Sequence, residues 1–191
     1  MIEARRDTDG PWPLTTDLVH AELTAYLEDA ADPALRGLPT RCPGWNVSDL
    51  TAHLALTFRR YLDMLRRSRA GDFDPPFAPG ELEAENERAV NMFRGDPFAA
   101  LDASAFRFLH AATDPDELIA HQFGPIPVGL QIRFALNELA IHHDDLAPAT
   151  RRRYRPPSPV VHALVPVWER VLGGLPPAGD DWMAILAASG R

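Results

Sequence analysis

Val128-Gly-Leu-Gln-Ile-Arg-Phe-Ala-Leu-Asn-Glu-Leu-Ala-Ile-His-His-Asp-Asp-Leu-Ala147 is the stretch on which the reading of this chain turns. Its apolar residues recur at helical rather than alternating spacing, and the run is too long for a strand. It reads as the longest apolar helix of the chain, introduced by a turn at Gly124-Pro-Ile-Pro127. Outward from it, prolines separate further segments of the same period, because proline lacks an N–H and clashes inside a helix. Thr15 to Ala31 carries Leu18, Leu23, Tyr26 and Leu27 on one side and ends at Asp32-Pro33. Asn46, with Asp49 three residues on, caps a helix that runs through Leu50, Leu54, Phe58, Tyr61, Leu62 and Leu65 to Arg69. Glu81 to Arg94 reads as a polar, exposed helix. Asp96-Pro97 opens another, with Leu101, Phe106, Phe108 and Leu109 apolar. Val160 to Leu172 follows, with Pro166 kinking it or marking a later start, and Asp180 to Ser189 closes the chain. No segment alternates with period two over more than a few residues. The expected fold is all-α: a four-helix bundle with additional short C-terminal helices, in one domain over residues 1–191.

Composition bounds the chemistry. The 191 residues carry a formal charge of −8, with 46% hydrophobic and 24% charged, an ordinary globular balance for one domain. Every one of the 19 basic residues is Arg, and the 19 prolines are about twice the usual share. This usage points to a GC-rich bacterial genome. The single cysteine, Cys42, excludes a disulfide framework and any Cys-rich zinc or iron–sulfur site. A metal site must then draw on the seven histidines and the carboxylates. The acidic balance argues against nucleic acid as a partner. The short runs Arg59-Arg60, Arg66-Arg67 and Arg151 to Arg153 read as solvated faces. The N-terminal MIEARRDTDGPWPL has no signal-peptide core, and no stretch approaches the roughly 18 apolar residues of a membrane span, so a cytoplasmic protein is expected.

Within the opening stretch, Glu138 and His142 stand four apart and share one helix face; Ala135 and Asp145 extend that stripe. A carboxylate and an imidazole then lie on or beside the apolar side of a core helix, where charged groups need partners. The second helix offers His53, beside its own apolar stripe and between the small Ala52 and Ala55, with Asp49 one turn earlier to orient the ring. Bundles build metal sites where inward residues of facing helices meet. His53, Glu138 and His142 would give three ligands and one open position, the pattern of a catalytic zinc. The spacing alone leaves a plain i,i+4 Glu–His pair open as the other reading. Neighbouring helix residues point about 100° apart, so His142 to Asp145 cannot all ligate one ion, and His143 falls outside it.

Other residues carry less. Cys42 has no base nearby in sequence and reads as a small packed residue. His20, His110, His121 and His162 read as surface or packing residues, and Trp45 and Trp182 as helix-end packing. Phe58 and Tyr61 suit either the core or a pocket wall. Arg60 and Arg133 suit either an anionic substrate or surface carboxylates.

Two segments together resemble a known family. Thr40-Arg-Cys-Pro-Gly-Trp-Asn-Val-Ser-Asp-Leu-Thr-Ala-His-Leu54 and Glu138-Leu-Ala-Ile-His-His-Asp-Asp-Leu146 are similar to those of the mycothiol-dependent maleylpyruvate isomerase N-terminal domains, within the DinB-like superfamily. The turn Phe123 to Gly129 and the ending Trp182 to Arg191 share the likeness, which spans Leu14 to the C-terminus. The resemblance implies a four-helix bundle holding one divalent metal, usually zinc, through His53, Glu138 and His142, with Asp49 and Asp145 in support. It also implies a low-molecular-weight thiol as cosubstrate, mycothiol in actinobacteria. A free thiol, with a pKa of about 8.5, is mostly protonated at neutral pH; at zinc it becomes a nucleophile for an electrophilic double bond, epoxide or activated leaving group.

The expected function is therefore a zinc-dependent thiol transferase or isomerase acting on a small electrophile, as a monomer or homodimer. The alternatives are a metal-bound water acting as hydrolase or cyclase, and a non-catalytic helical module. Two departures stand out. The isomerase proper carries a further C-terminal domain, whereas Pro148 to Arg191 is all that follows here, which disfavours maleylpyruvate itself as substrate. Asp144 stands where the family often has an aromatic residue.

Overall fold

The computed structural model describes residues 12–170 and 173–191. Its first helix, α1 (Trp12–Asp29), starts ahead of the expected Thr15; Pro13 suits a first turn because its missing N–H has no intrahelical partner there. Helix α2 (Val47–Arg69) begins on a reciprocal cap. The Asn46 side chain accepts from the Asp49 N–H at 3.0 Å, and the Asp49 carboxylate accepts from the Asn46 N–H at 3.1 Å. Helix α3 (Leu82–Met92) buries only Val90, as its polar sequence requires. Asp96 caps α4 (Pro97–Ala111), accepting from the Phe98 N–H at 3.0 Å. After α5 (Val128–Asp144) come the short α6 (Ala147–Thr150), then α7 (Ser158–Arg170) and α8 (Asp181–Ala188).

Helix α1 packs along α5 and α2 along α4, while α2 and α5 face each other; α7 covers α5 and meets α8. Tyr26, Leu50, Leu54, Phe58, Phe108, Ile132, Leu136 and Leu139 are fully buried between them. This is the all-α bundle that the periodicity predicts, with the extra C-terminal helices, and it agrees with the DinB-like fold that the resemblance implies.

Three details differ. Leu118–Ile119 (β1) and Ile126–Pro127 (β2) pair antiparallel just before α5, a ribbon too short to show alternation in sequence. The Ser68 hydroxyl accepts from the Ala120 N–H at 2.7 Å and pins this ribbon to the end of α2. Helix α5 stops at Asp144 rather than Ala147, since Pro148 has no N–H to continue its ladder and the chain restarts as α6. Pro166 lies inside α7 and neither ends nor delays it, and the expected stop at Leu172 falls outside the described residues.

Every residue of α5 is buried except Leu130 and Glu138, which are half-buried. Its polar side chains must therefore find partners within the bundle. Asn137, for example, accepts from the Trp168 indole N–H at 2.8 Å. Among the described residues no helix is long and apolar enough to cross a membrane.

Candidate metal centre

The loop before α2 sets the register of the site. Pro39 bridges to Asn46, the Thr40 N–H and hydroxyl both donate to the Trp45 carbonyl at 3.1 and 2.9 Å, and Gly44 turns the chain at φ +80°. The Arg41 N–H donates to the Asp145 carbonyl at 2.9 Å, which ties the start of α2 to the end of α5. His53 on α2 is thereby set against Glu138 and His142 on α5. Its Nε2 lies 3.6 Å from Glu138 Oε2, and His142 Nε2 lies 3.7 Å from the same oxygen. The two imidazoles stand edge to face, with centroids 5.0 Å apart. One donor atom from each of the three residues falls within 4.8 Å of the others.

These separations are too long for N–H···O bonds, which run about 2.7–3.2 Å. They are close to the spacing of donors around a shared ion: ligands about 2.0–2.1 Å from a tetrahedral zinc stand about 3.3–3.4 Å from each other. Two imidazole nitrogens and a carboxylate oxygen are also a donor set that suits zinc. The residues present fit a divalent metal.

The surroundings favour the ligating protonation states. Burial lowers the pKa of His53, and the nearby Glu138 carboxylate only partly reverses this. Burial alone would raise the Glu138 carboxyl, but the two imidazoles and Arg60 hold it below the usual range. His142 differs. Burial opposes its charge, yet a 2.8 Å bond from Nδ1 to Asp145 Oδ2, with Cys42 and Glu138 adding to it, lifts its pKa to about 9. That bond fixes the ring so that Nε2 faces Glu138 and His53. Asp145 is itself fully buried and clamped: Arg191 donates through Nε to Oδ1 at 3.0 Å and through Nη2 to Oδ2 at 2.6 Å. Burial would raise Asp145, and the His142 and Arg191 bonds instead hold it far below the carboxylate range. The Trp45 ring, 5.0 Å from the His53 ring, shields that imidazole from one side.

The sequence matches the Mycothiol maleylpyruvate isomerase N-terminal domain family over residues 16–147, well over half of the chain. The chain belongs to that family. Both helices that carry the candidate ligands lie inside the matched span. A comparison with curated proteins finds no match. Crystal structures of the mycothiol-dependent maleylpyruvate isomerase and of a point mutant of it superpose at TM-scores of 0.65 and 0.66. Each is 18% identical and matches 82% of this chain and 69% of the other. At that identity the likeness is one of fold, and it agrees with the bundle described above.

Within this family member, some singled-out residues lie elsewhere. The Asp49 carboxylate is engaged in the α2 cap and makes no hydrogen bond or ion pair with His53 among the described residues, so it does not orient that ring. Local geometry decides this, because the Asn46 N–H three residues back is always within reach. His143 points away to α1, with Nδ1 2.7 Å from Glu22 and Nε2 3.2 Å from Asp29, and Tyr154 stacks on it at 4.0 Å. Asp144 is buried beside Arg41, 3.2 Å from its Nε. Phe58 and Tyr61 join Phe108 in an aromatic core cluster. Arg60 donates to Asn86 Oδ1 at 2.6 Å and lies over the Phe77 ring.

Cys42 packs against the core, as its sequence suggests, and has neighbours the sequence does not show. It has no local base, but the fold brings Asp145 Oδ2 to 3.3 Å and His142 Nδ1 to 3.9 Å from its sulfur. Arg191 carries no sequence signal beyond its place in the family-like ending, and nothing local ties it to Asp145, which it meets only through the fold.

Proposed function

We propose that the chain is a zinc-dependent thiol transferase or isomerase that joins mycothiol, or a related low-molecular-weight thiol, to a small electrophilic substrate. The observation that carries this is the convergence of His53 Nε2, His142 Nε2 and Glu138 Oε2 from two facing helices, a group of three donors rather than the four of a closed structural site. Membership of a family named for mycothiol and maleylpyruvate isomerisation supports the thiol and the class of reaction. Zinc held by these three residues would supply the positive charge that favours the thiolate form of an incoming thiol.

The chain's own residues do the rest. Asp145 orients His142 and makes its ring a better donor, Arg191 holds Asp145 in place, and Trp45 limits water beside His53. Glu138 keeps the donor set anionic, so zinc there retains less net charge than with three imidazoles.

The test is elemental analysis of the purified protein together with mass spectrometry of its reaction with mycothiol and a panel of electrophiles. About one zinc per chain, lost in His142→Ala, and mycothiol adducts that need the metal are expected. A metal-free preparation that forms adducts equally well overturns the proposal. Products that form without any thiol would assign the site to hydrolysis by metal-bound water instead.

A further inference from the structure

The ligand stripes continue past the candidate centre. On α2, His53 is followed at steps of four by Thr57 and Tyr61; on α5, Glu138 is preceded by Ala135 and Gln131. His53 meets Glu138 at one end, and Tyr61 lies beside Gln131 at the other, so the two stripes face each other along about two turns. Gln131 is 0% exposed and Thr57 3%. Yet among the described residues Thr57 Oγ1 has no hydrogen-bond partner, and the Gln131 amide has none but the approach of the Tyr61 hydroxyl beside it.

For Thr57 this is a departure from its own helix. The other buried hydroxyls of α2 bond back one turn, Thr51 to the Val47 carbonyl at 2.7 Å and Ser68 to the Met64 carbonyl at 2.8 Å. A buried amide and hydroxyl left unmet are costly, and native chains almost always satisfy them. Such atoms on stripes that start at one centre call for a shared polar guest. Arg60 flanks the stripe and is hydrogen-bonded to the neutral Asn86, with no ion pair to a carboxylate among the described residues.

We infer that Thr57, Tyr61 and Gln131 form a polar subsite between α2 and α5, running inward from His53, Glu138 and His142, that receives the carboxylate or carbonyl end of the small substrate. The Gln131 amide N–H and the two hydroxyls supply neutral donors to such oxygens. The reacting carbon of a bound substrate is then set at the His53–His142 end. This inference rests on the reading of that end as the reaction centre.

The test is calorimetric titration of zinc-loaded protein with maleate, with acetate and pyruvate in parallel, on the natural chain and on Gln131→Leu and Thr57→Val. Both substitutions are close in volume and replace unmet polar atoms by apolar ones, so the variants fold and melt no lower than the natural chain. The maleate Kd should rise about tenfold to hundredfold in each, the effect of losing a hydrogen bond to a charged oxygen. Zinc content should stay unchanged, and maleate should raise the melting temperature of the natural chain only. Equal Kd values in natural and variant proteins overturn the inference, as does a natural chain that binds none of the three acids, which would leave these atoms to internal waters. Failure of the metal reading shows separately, as a protein that takes up no zinc. The same titration on EDTA-treated protein then decides the subsite by itself, by whether binding depends on residues 57 and 131.

Discussion

Replacing Asp145 with Asn tests the site through the pH dependence of zinc binding. The carboxylate receives His142 Nδ1 at 2.8 Å, Arg191 at 3.0 and 2.6 Å and the Cys42 thiol at 3.3 Å. Asn keeps the shape but removes the charge and turns two donors toward these groups. Two effects oppose each other. Loss of the carboxylate behind His142 weakens the ring as a ligand, typically 10–100-fold in metal affinity. In the natural chain, however, that carboxylate also helps raise His142 to about 9 when no metal is present, so at pH 7 the ring must release a proton before it binds. Two pH units of competition weaken apparent affinity about a hundredfold, or roughly 2.7 kcal/mol.

Glu138 and His53 are already deprotonated at that pH, since both are shifted downward. The natural chain should therefore bind zinc about tenfold more tightly for each pH unit from 6 to 8 and level off toward 9. Without the carboxylate, burial governs His142, and the variant should be nearly flat above pH 7. The two affinities should lie close at pH 7 and differ by about 10–100-fold at pH 9, read by chelator competition. A variant that keeps the natural slope, or that is weakened equally at every pH, refutes the reasoning. The metal-free variant should also lose about 3 kcal/mol of stability, because Arg191 is left facing a neutral group; its side chain is 24% exposed, which places the loss at the low end for a broken buried pair.

His121 stacks on Phe134 at 4.9 Å, and burial lowers its pKa to about 4. The unfolded chain takes up a proton below about 6.5 that the folded chain refuses, so stability is lost as pH falls from there toward 4. That loss, at most about 3 kcal/mol, should be absent from His121→Phe and so appear as a pH-dependent difference between the natural chain and that variant in denaturant titrations at each pH. Elsewhere in the core, Thr51 donates its hydroxyl to the Val47 carbonyl, so the 2.9 Å contact with Tyr26 is donated by the phenol. Tyr26→Phe should then cost about 1 kcal/mol. Thr51→Val, which strands the buried phenol without an acceptor, should cost more, about 1–3 kcal/mol in the same assay. Equal costs would put the donor on the other side.

What could be read in the sequence was what is local. The Asn46–Asp49 cap, the period of α5 and the common face of Glu138 and His142 each depend on residues within one turn of one another. Pairing that face with His53 needed only the rule that inward residues of facing helices meet. Non-local partners stayed hidden: Glu22 for His143, Asp145 for Cys42, and Arg191 for Asp145 are all brought together by the packing of distant segments. Asp49 suits two roles in the sequence, and the structure shows its carboxylate in the cap, whose partner is fixed by the helix itself. Pro166 was ambiguous because a proline interrupts a ladder only at the carbonyl one turn back, at His162, which is exposed and can be met by water.

His142 belongs to two groups that could hold an ion, one with His53 and Glu138 and one with Cys42 and Asp145. They lie on opposite edges of its ring, Nε2 toward the first and Nδ1 toward the second. The second edge is already occupied by charge: the Arg191 guanidinium sits 2.6 Å from the Asp145 oxygen that an ion would need, and it would repel a divalent cation there. The first edge presents an anionic carboxylate and a neutral imidazole, and the structure gives no ion pair between Glu138 and an arginine among the described residues. Zinc uptake and adduct formation should therefore survive Cys42→Ser and be lost in His53→Ala, measured by elemental analysis and mass spectrometry. The reverse pattern would move the metal to the cysteine edge. With the metal at the Nε2 edge, the chain's single thiol lies behind the ring it would have to reach around, and the sulfur of the proposed reaction has to arrive on a second molecule.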